Sequence, residues 1–184
     1  MEQYILSLDL GTTAIKVAIV DTDGGIVSSA TMEYKLLTPD VLSVELPAQT
    51  YWENFKLGVQ QMLRKSKVSP EHIVCMGISA QGETLLLLDE QGNPLHNAIV
   101  WMDNRAQEEA EELRAAFPDE EFYARTGQVS MVPTWPAAKL LWFKRHRPDI
   151  FKAIYKAVLI EDYFIWRLTG QFVCEGSLIC STGY

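Results

Sequence analysis

The chain has 184 residues, 48% of them hydrophobic and 22% charged, with a net charge of −8 and a pI of about 4.9. This is the composition of a soluble globular protein, and its acidity argues against nucleic acid or an anionic membrane as the main partner. Three cysteines (Cys75, Cys174, Cys180) without C-x-x-C spacing give no basis for a zinc site or a disulfide framework, and with neither a basic-then-apolar leader nor a long apolar run the expected compartment is the cytoplasm.

Residues 4–9 and 15–21 alternate as strands rich in Ile, Val and Leu, and "DTDGG" (21–25) is a turn of residues that tolerate positive φ. A third strand over 26–35 completes an antiparallel meander. A loop with two prolines (37–47) leads into a helix over 48–65, with Trp52, Phe55, Val59 and Met62 on one face and Thr50 with Glu53 as a capping box. "HIVCMGIS" (72–79) reads as a buried strand, "ETLLLLD" as a further run ended by the turn "EQGNP", and "HNAIVWMD" (96–103) as another strand. From Arg105 the pattern turns helical, with Ala106, Ala110, Leu113 and Phe117 as its stripe. After a loop at 126–136, helices are expected at 137–146, at 148–156 with Pro148 in first position, and at 161–168 with Gly170 closing the last. The final stretch, "QFVCEGSLICSTGY", starts as a strand. The basic cluster Lys144-Arg145-His146-Arg147 reads as a solvated helix end. The three histidines lack metal spacing, and Trp135 alone among the later tryptophans sits in a loop, between two prolines.

Three constellations carry polar groups where strands end. "DLGTT" (9–13) interrupts two strand patterns with an acid, a glycine and two hydroxyls. Gly11 lets backbone N–H groups approach an anion, Thr12 and Thr13 add hydroxyl donors, and Lys16 supplies a point charge. Asp9 would repel a phosphate unless a cation lay between them, which implies Mg2+ held through water. The alternative is a plain turn whose hydroxyls bond their own backbone. In "SAQGET" (79–84), Gln81 and Glu83 flank Gly82 and suit the hydroxyls of a small polar ligand, or else form a simple turn. In "AIVWMDNRA" (98–106), Trp101, Asp103 and Arg105 share a face if the segment is extended. An aromatic wall beside an acid and a guanidinium suits a carbohydrate; the alternative is a core Trp with a structural Asp–Arg pair.

Taken in order, D-L-G-T-T-x-x-K, Q-G-E-T, V-W-M-D-N-R and D-Y-F-I-W-R-L-T-G resemble the N-terminal part of the FGGY carbohydrate kinases, which include glycerol, xylulose, gluconate, ribulose and fuculose kinases. The resemblance runs from about residue 4 to the last residue. It implies an α/β, ribonuclease-H-like fold of the actin and hexokinase superfamily, a mixed sheet with the antiparallel meander plus helices, incomplete at its C-terminal end. It further implies that residues 1–184 are part of the sugar-binding domain, with the ATP-binding domain and the general-base Asp lying later than residue 184. On this likeness Asp9 would help hold Mg2+, and Gly11, Thr12, Thr13 and Lys16 would line the path of the ATP phosphates. Gln81, Glu83, Trp101 and Asp103 would face the sugar, with Arg105 beside them. Glycerol kinases carry Arg where this chain has Gly82 and Tyr near Thr134-Trp135, and xylulose-type kinases carry a Met-His pair near Gln81 that is missing here. The reading is the sugar-binding part of an ATP-dependent kinase for a small sugar or polyol, with a xylulose-like ketose favoured, inactive as this piece alone. A homodimer is left open for the full-length protein. The other readings are a different actin-like ATPase domain and a non-enzymatic sugar-binding remnant.

Overall fold

Alternation of apolar and polar residues sets the first sheet. The computed structural model describes residues 2–183, and its first three strands are β1 (Tyr4–Leu10), β2 (Ala14–Asp21) and β3 (Ile26–Glu33). They form the expected antiparallel meander, with Asp9 opposite Lys16 and Lys16 opposite Thr31. A two-residue strand, β4 (Glu45–Leu46), precedes helix α1 (Ala48–Ser66), and β5 (Ile73–Ala80) then pairs parallel to β1. The sheet order is β3-β2-β1-β5.

One face of this sheet is Leu6, Leu8, Leu10, Ile15, Val17 and Ile19, all buried, and α1 covers it with Tyr51, Phe55, Gly58 and Met62. Gly58 permits the close approach, since a Cβ there would lie 3.1 Å from Val17 and 3.4 Å from Met32. The face is rotated slightly from the expected one: Trp52 and Val59 flank it. The helix also begins before Thr50, which therefore lies inside it and forms no cap. β5 is not the buried strand its apolar content implied, because Val74, Cys75, Gly77 and Ser79 are exposed. Non-local pairing to β1, rather than burial of both faces, makes it a strand.

The remaining elements are β6 (Leu85–Leu88), β7 (Ala98–Ile99), α2 (Gln107–Ala116), α3 (Asp119–Thr126), α4 (Pro136–His146), α5 (Pro148–Ala153), β8 (Lys156–Leu159) and α6 (Ile160–Thr169). They build a second sheet in the order β4-β7-β6-β8. β6 is buried along its whole length, with Leu85, Leu87, Ile99, Phe143 and Ile150 at the centre of that core. Several expectations change here. The strand over 96–103 is confined to Ala98–Ile99, the helix from Pro148 stops at Ala153 and gives way to β8, and α3 occupies residues for which no separate helix was expected. The last described residues form a 3-10 turn, Ile179–Thr182, and not a strand. Gly170 closes α6 at φ 75°, as expected. The basic helix end is not merely solvated, since Arg145 reaches Glu112 and His146 reaches Glu109, both on α2.

The chain divides into two compact units, one made of residues up to Lys35 with Ala48–Gln81, the other of Leu36–Pro47 with Gly82 onward. Among the described residues no helix is long and apolar enough to cross a membrane.

Candidate functional site

In the first unit the polar knot is a tight link between β1 and β2. The Gly11 N–H donates to the Ala14 carbonyl at 3.1 Å, and a Cβ on residue 11 would lie 2.8 Å from that same oxygen. Close approach of backbone to backbone therefore demands glycine here, and the Gly11 N–H is already occupied. Asp9 Oδ2 lies 3.5 Å from Lys16 Nζ, with the two side chains 43% and 65% exposed. So exposed a pair adds little to stability and leaves both charges accessible. The Tyr34 hydroxyl donates to the Gly11 carbonyl, while the Tyr34 N–H donates to the Thr13 carbonyl at 3.0 Å. Burial, with Tyr51 and Asp9 nearby, raises the Tyr34 phenol far above its ordinary value, so it remains a donor at every physiological pH.

Gln81 is tied to the same strand end through its N–H, which donates to the Leu10 carbonyl at 3.0 Å. Its side-chain Nε2 donates to the Tyr51 hydroxyl at 3.1 Å, and burial pushes that phenol up to about 12. The other end of the amide, Oε1, is buried and has no partner. A buried acceptor left open is costly, and a ligand hydroxyl is a group that would satisfy it. Asp9, Gly11, Thr12, Thr13, Lys16 and Gln81 are thus brought to one end of one sheet. Among the described residues no three His, Cys, Asp or Glu side chains gather as a metal cage. A lone exposed carboxylate suits Mg2+, which keeps its waters and takes its other ligands from phosphates.

In the second unit, Val100 to Arg105 is a turn and not an extended segment. The Asp103 N–H donates back to the Val100 carbonyl at 2.9 Å, so Trp101, Asp103 and Arg105 do not share a strand face. Trp101 is 38% exposed while Asp103 is fully buried. Asp103 accepts from the Val44 N–H at 2.7 Å, from the Arg105 N–H at 3.1 Å and from the Arg105 guanidinium at 2.8 and 2.9 Å. Arg105 also bonds Glu45 at 2.6 Å and lies over the Trp142 ring at 5.0 Å. Burial opposes ionisation of Glu45, but the bonds from Arg105 and Asn97 outweigh it and hold its carboxyl below the usual range. The Asp–Arg pair is therefore a buried clamp between segments 44–45 and 103–105. Trp135, whose indole N–H donates to the Ser130 carbonyl at 3.0 Å, ties down its own loop.

Two residues were not read from the sequence. Thr84, fully buried, accepts the Trp101 N–H on Oγ1 at 3.1 Å. Lys139 reaches the same turn from α4. Its signal was a lysine on an apolar helix face, in register with Pro136 and Phe143.

Residues 4–184 match the N-terminal domain of the FGGY family of carbohydrate kinases. The chain belongs to that family. It is 36% identical to a glycerol kinase of Synechocystis over 172 residues, which cover 91% of this chain and 34% of the relative. Among solved structures, the xylulose kinase of Rhodospirillum rubrum superposes with a TM-score of 0.92 at 27% identity, covering 99% of this chain and 37% of that one. A Plasmodium falciparum glycerol kinase, solved with ADP, superposes at 0.87 and 25% identity, covering 99% of this chain and 37% of that one. These likenesses establish the actin- and hexokinase-like fold. The chain spans about a third of the length of the curated relatives it matches.

Proposed function

We propose that this FGGY domain is the sugar-binding part of an ATP-dependent kinase that phosphorylates a hydroxyl of a small sugar or polyol. A xylulose-like ketose is favoured over glycerol, because glycerol kinases carry Arg where this chain has Gly82 and Tyr near Thr134-Trp135, although the Met-His pair that xylulose-type kinases carry near Gln81 is missing here. Residues 1–184 act as the N-terminal domain part, the ATP-binding domain and the general-base Asp follow in the complete protein, and the piece alone does not turn over. The observation that carries this reading is the buried, unpartnered Oε1 of Gln81 beside the Asp9 strand end.

Each residue then has a task. Gln81 Oε1 accepts from a sugar hydroxyl, Glu83 accepts from another, and the exposed part of Trp101 packs on C–H faces. Asp103 and Arg105 complete the sugar site by fixing the turn that carries the indole. Lys16, with the loop at Gly11, Thr12 and Thr13, faces the anionic phosphates, and Asp9 holds the hydrated cation that accompanies them. Bound Mg2+–ATP supplies the phosphoryl group and neutralises part of its charge. The protein contributes position and charge around a loose transition state.

The test is phosphorylation of D-xylulose, L-xylulose, gluconate and glycerol by the complete protein with Mg2+ and ATP, beside its Asp9→Asn variant. The expected result is turnover of at least one of these, with kcat reduced about 100-fold or more by Asp9→Asn and sugar KM nearly unchanged, since Asp9 acts on groups that gain charge in the transition state. Failure to phosphorylate any of them, or an equal loss of sugar affinity in the variant, overturns the assignment.

A further inference from the structure

α4 carries a lysine in the middle of its buried face. Pro136, Lys139 and Phe143 are spaced three and four apart, and all three are buried. Lys139 is 0% exposed. Its Nζ donates to the Val100 carbonyl at 3.1 Å and to the Trp101 carbonyl at 3.4 Å. From the opposite side of the same residue, the Trp101 N–H donates to Thr84 Oγ1 at 3.1 Å, and Thr84 follows Glu83 directly. The peptide groups before and after Trp101 are therefore gripped by two buried side chains, and the grip links the Trp101 turn to the segment that carries Glu83.

We propose that Lys139 is a positioning residue of the sugar site, holding the Trp101 turn so that the indole stands at a fixed place relative to Glu83. This rests on the reading of Trp101 and Glu83 as sugar-facing residues. An ammonium in a dry interior is expensive, and a methionine would fill the same space on the helix. What methionine lacks is a donor for two inward-pointing carbonyls of a turn. Burial depresses the Lys139 amine to about 8, while Asp103 and Glu83 favour its charged form and Arg105 opposes it. The group thus retains donor hydrogens in either protonation state. A turn held by such a clamp keeps the backbone of Trp101 in one place, which lowers the ordering cost of packing a sugar beside it.

The experiment compares wild type with Lys139→Met in the complete protein, using D-xylulose and glycerol as sugar probes and following amide exchange at residues 101–103. The expected result is a rise of about tenfold or more in sugar KM with kcat and ATP KM changed by less than about threefold. Amide exchange at 101–103 should accelerate about tenfold or more in the folded variant. Lys139→Gln, which keeps a donor on a shorter arm, carries the same comparison if the methionine variant does not fold, and Lys139→Arg should recover part of the sugar affinity. Unchanged exchange at 101–103 overturns the proposal, as does faster exchange with unchanged sugar KM. If wild type itself phosphorylates none of D-xylulose, L-xylulose, gluconate and glycerol, faster exchange in the variant upholds the clamp and the sugar reading alone falls.

Discussion

Glu161, in the first turn of α6, is only 6% exposed. Both of its carboxylate oxygens are buried with no partner beyond its own backbone N–H. Burial, with the charges of Asp162, Glu175 and Glu83 adding to it, pushes the carboxyl up to about 7 from an ordinary 4.5. The folded protein therefore holds this proton more tightly than the unfolded chain does. Stability from this group is complete below about pH 4.5 and falls as pH rises toward 7, because the unfolded chain gains from ionising first. At about 1.4 kcal/mol for each pH unit of that gap, Glu161→Gln is expected to be more stable than wild type by roughly 3 kcal/mol at pH 8 and nearly equal to it at pH 4. Denaturant unfolding at the two pH values checks this, and a difference that does not change with pH refutes it. Lys139 carries a lesson about legibility. A charged residue at an apolar-face position is visible in the sequence, but its partners come from distant segments. The sequence shows that something must satisfy the lysine without showing that it is the carbonyl pair at Val100 and Trp101.

Among the elements, the turn between β6 and β7 shows how a glycine can be fixed by its neighbours. Asp89 accepts from the Gln91 and Asn93 N–H groups at 2.9 and 2.8 Å, and Gly92 takes φ 77°. A Cβ on Gly92 would lie 2.1 Å from the Trp166 ring, which is itself stacked on Phe172 at 5.4 Å. Gly92→Ala must therefore both adopt a left-handed backbone and displace an indole. Gly24, at φ 88°, has open space around it, so Gly24→Ala meets the backbone strain alone, about 1–2 kcal/mol. Gly92→Ala is expected to lose more than that, roughly 2–4 kcal/mol, in a comparison of urea midpoints. Equal losses would show that the ring gives way freely. The elements that the sequence announced were those set locally. β1 to β3 follow from alternation, the start of α5 from Pro148 in first position, and the end of α6 from Gly170. α3 was missed because Phe122 is its one buried residue, leaving no stripe to read. β8 was not read as a strand because four residues paired with Leu85–Leu88 are recognisable only through that pairing. The turn at 100–105 was misread for a similar reason: Asp103 folds the chain back on Val100 and takes the Val44 N–H from another segment.

At the scale of the whole molecule, the residues proposed to face the phosphates are partly open to water, Asp9, Gly11 and Thr12 half-buried and Thr13 and Lys16 exposed. Asp9 and Lys16 neutralise each other at 3.5 Å in an exposed pair, and the Gly11 N–H is committed to Ala14. In water such groups attract a triphosphate weakly, because each charge is screened and the loss of translational freedom on binding is not offset by desolvated contacts. The candidate sugar residues have more to offer, a buried open acceptor in Gln81 and an exposed indole face in Trp101. The 184-residue chain taken alone is therefore expected to show no ATP binding by calorimetry with Mg2+ present, and weak sugar binding at most, in the millimolar range or about −4 kcal/mol. The complete protein should bind both more tightly, since relatives about three times as long have further chain with which to enclose the phosphates and exclude water. ATP binding by this chain with a Kd of about 10 μM or tighter would place the nucleotide site within residues 1–184, and the division of labour proposed for the kinase would have to be reversed.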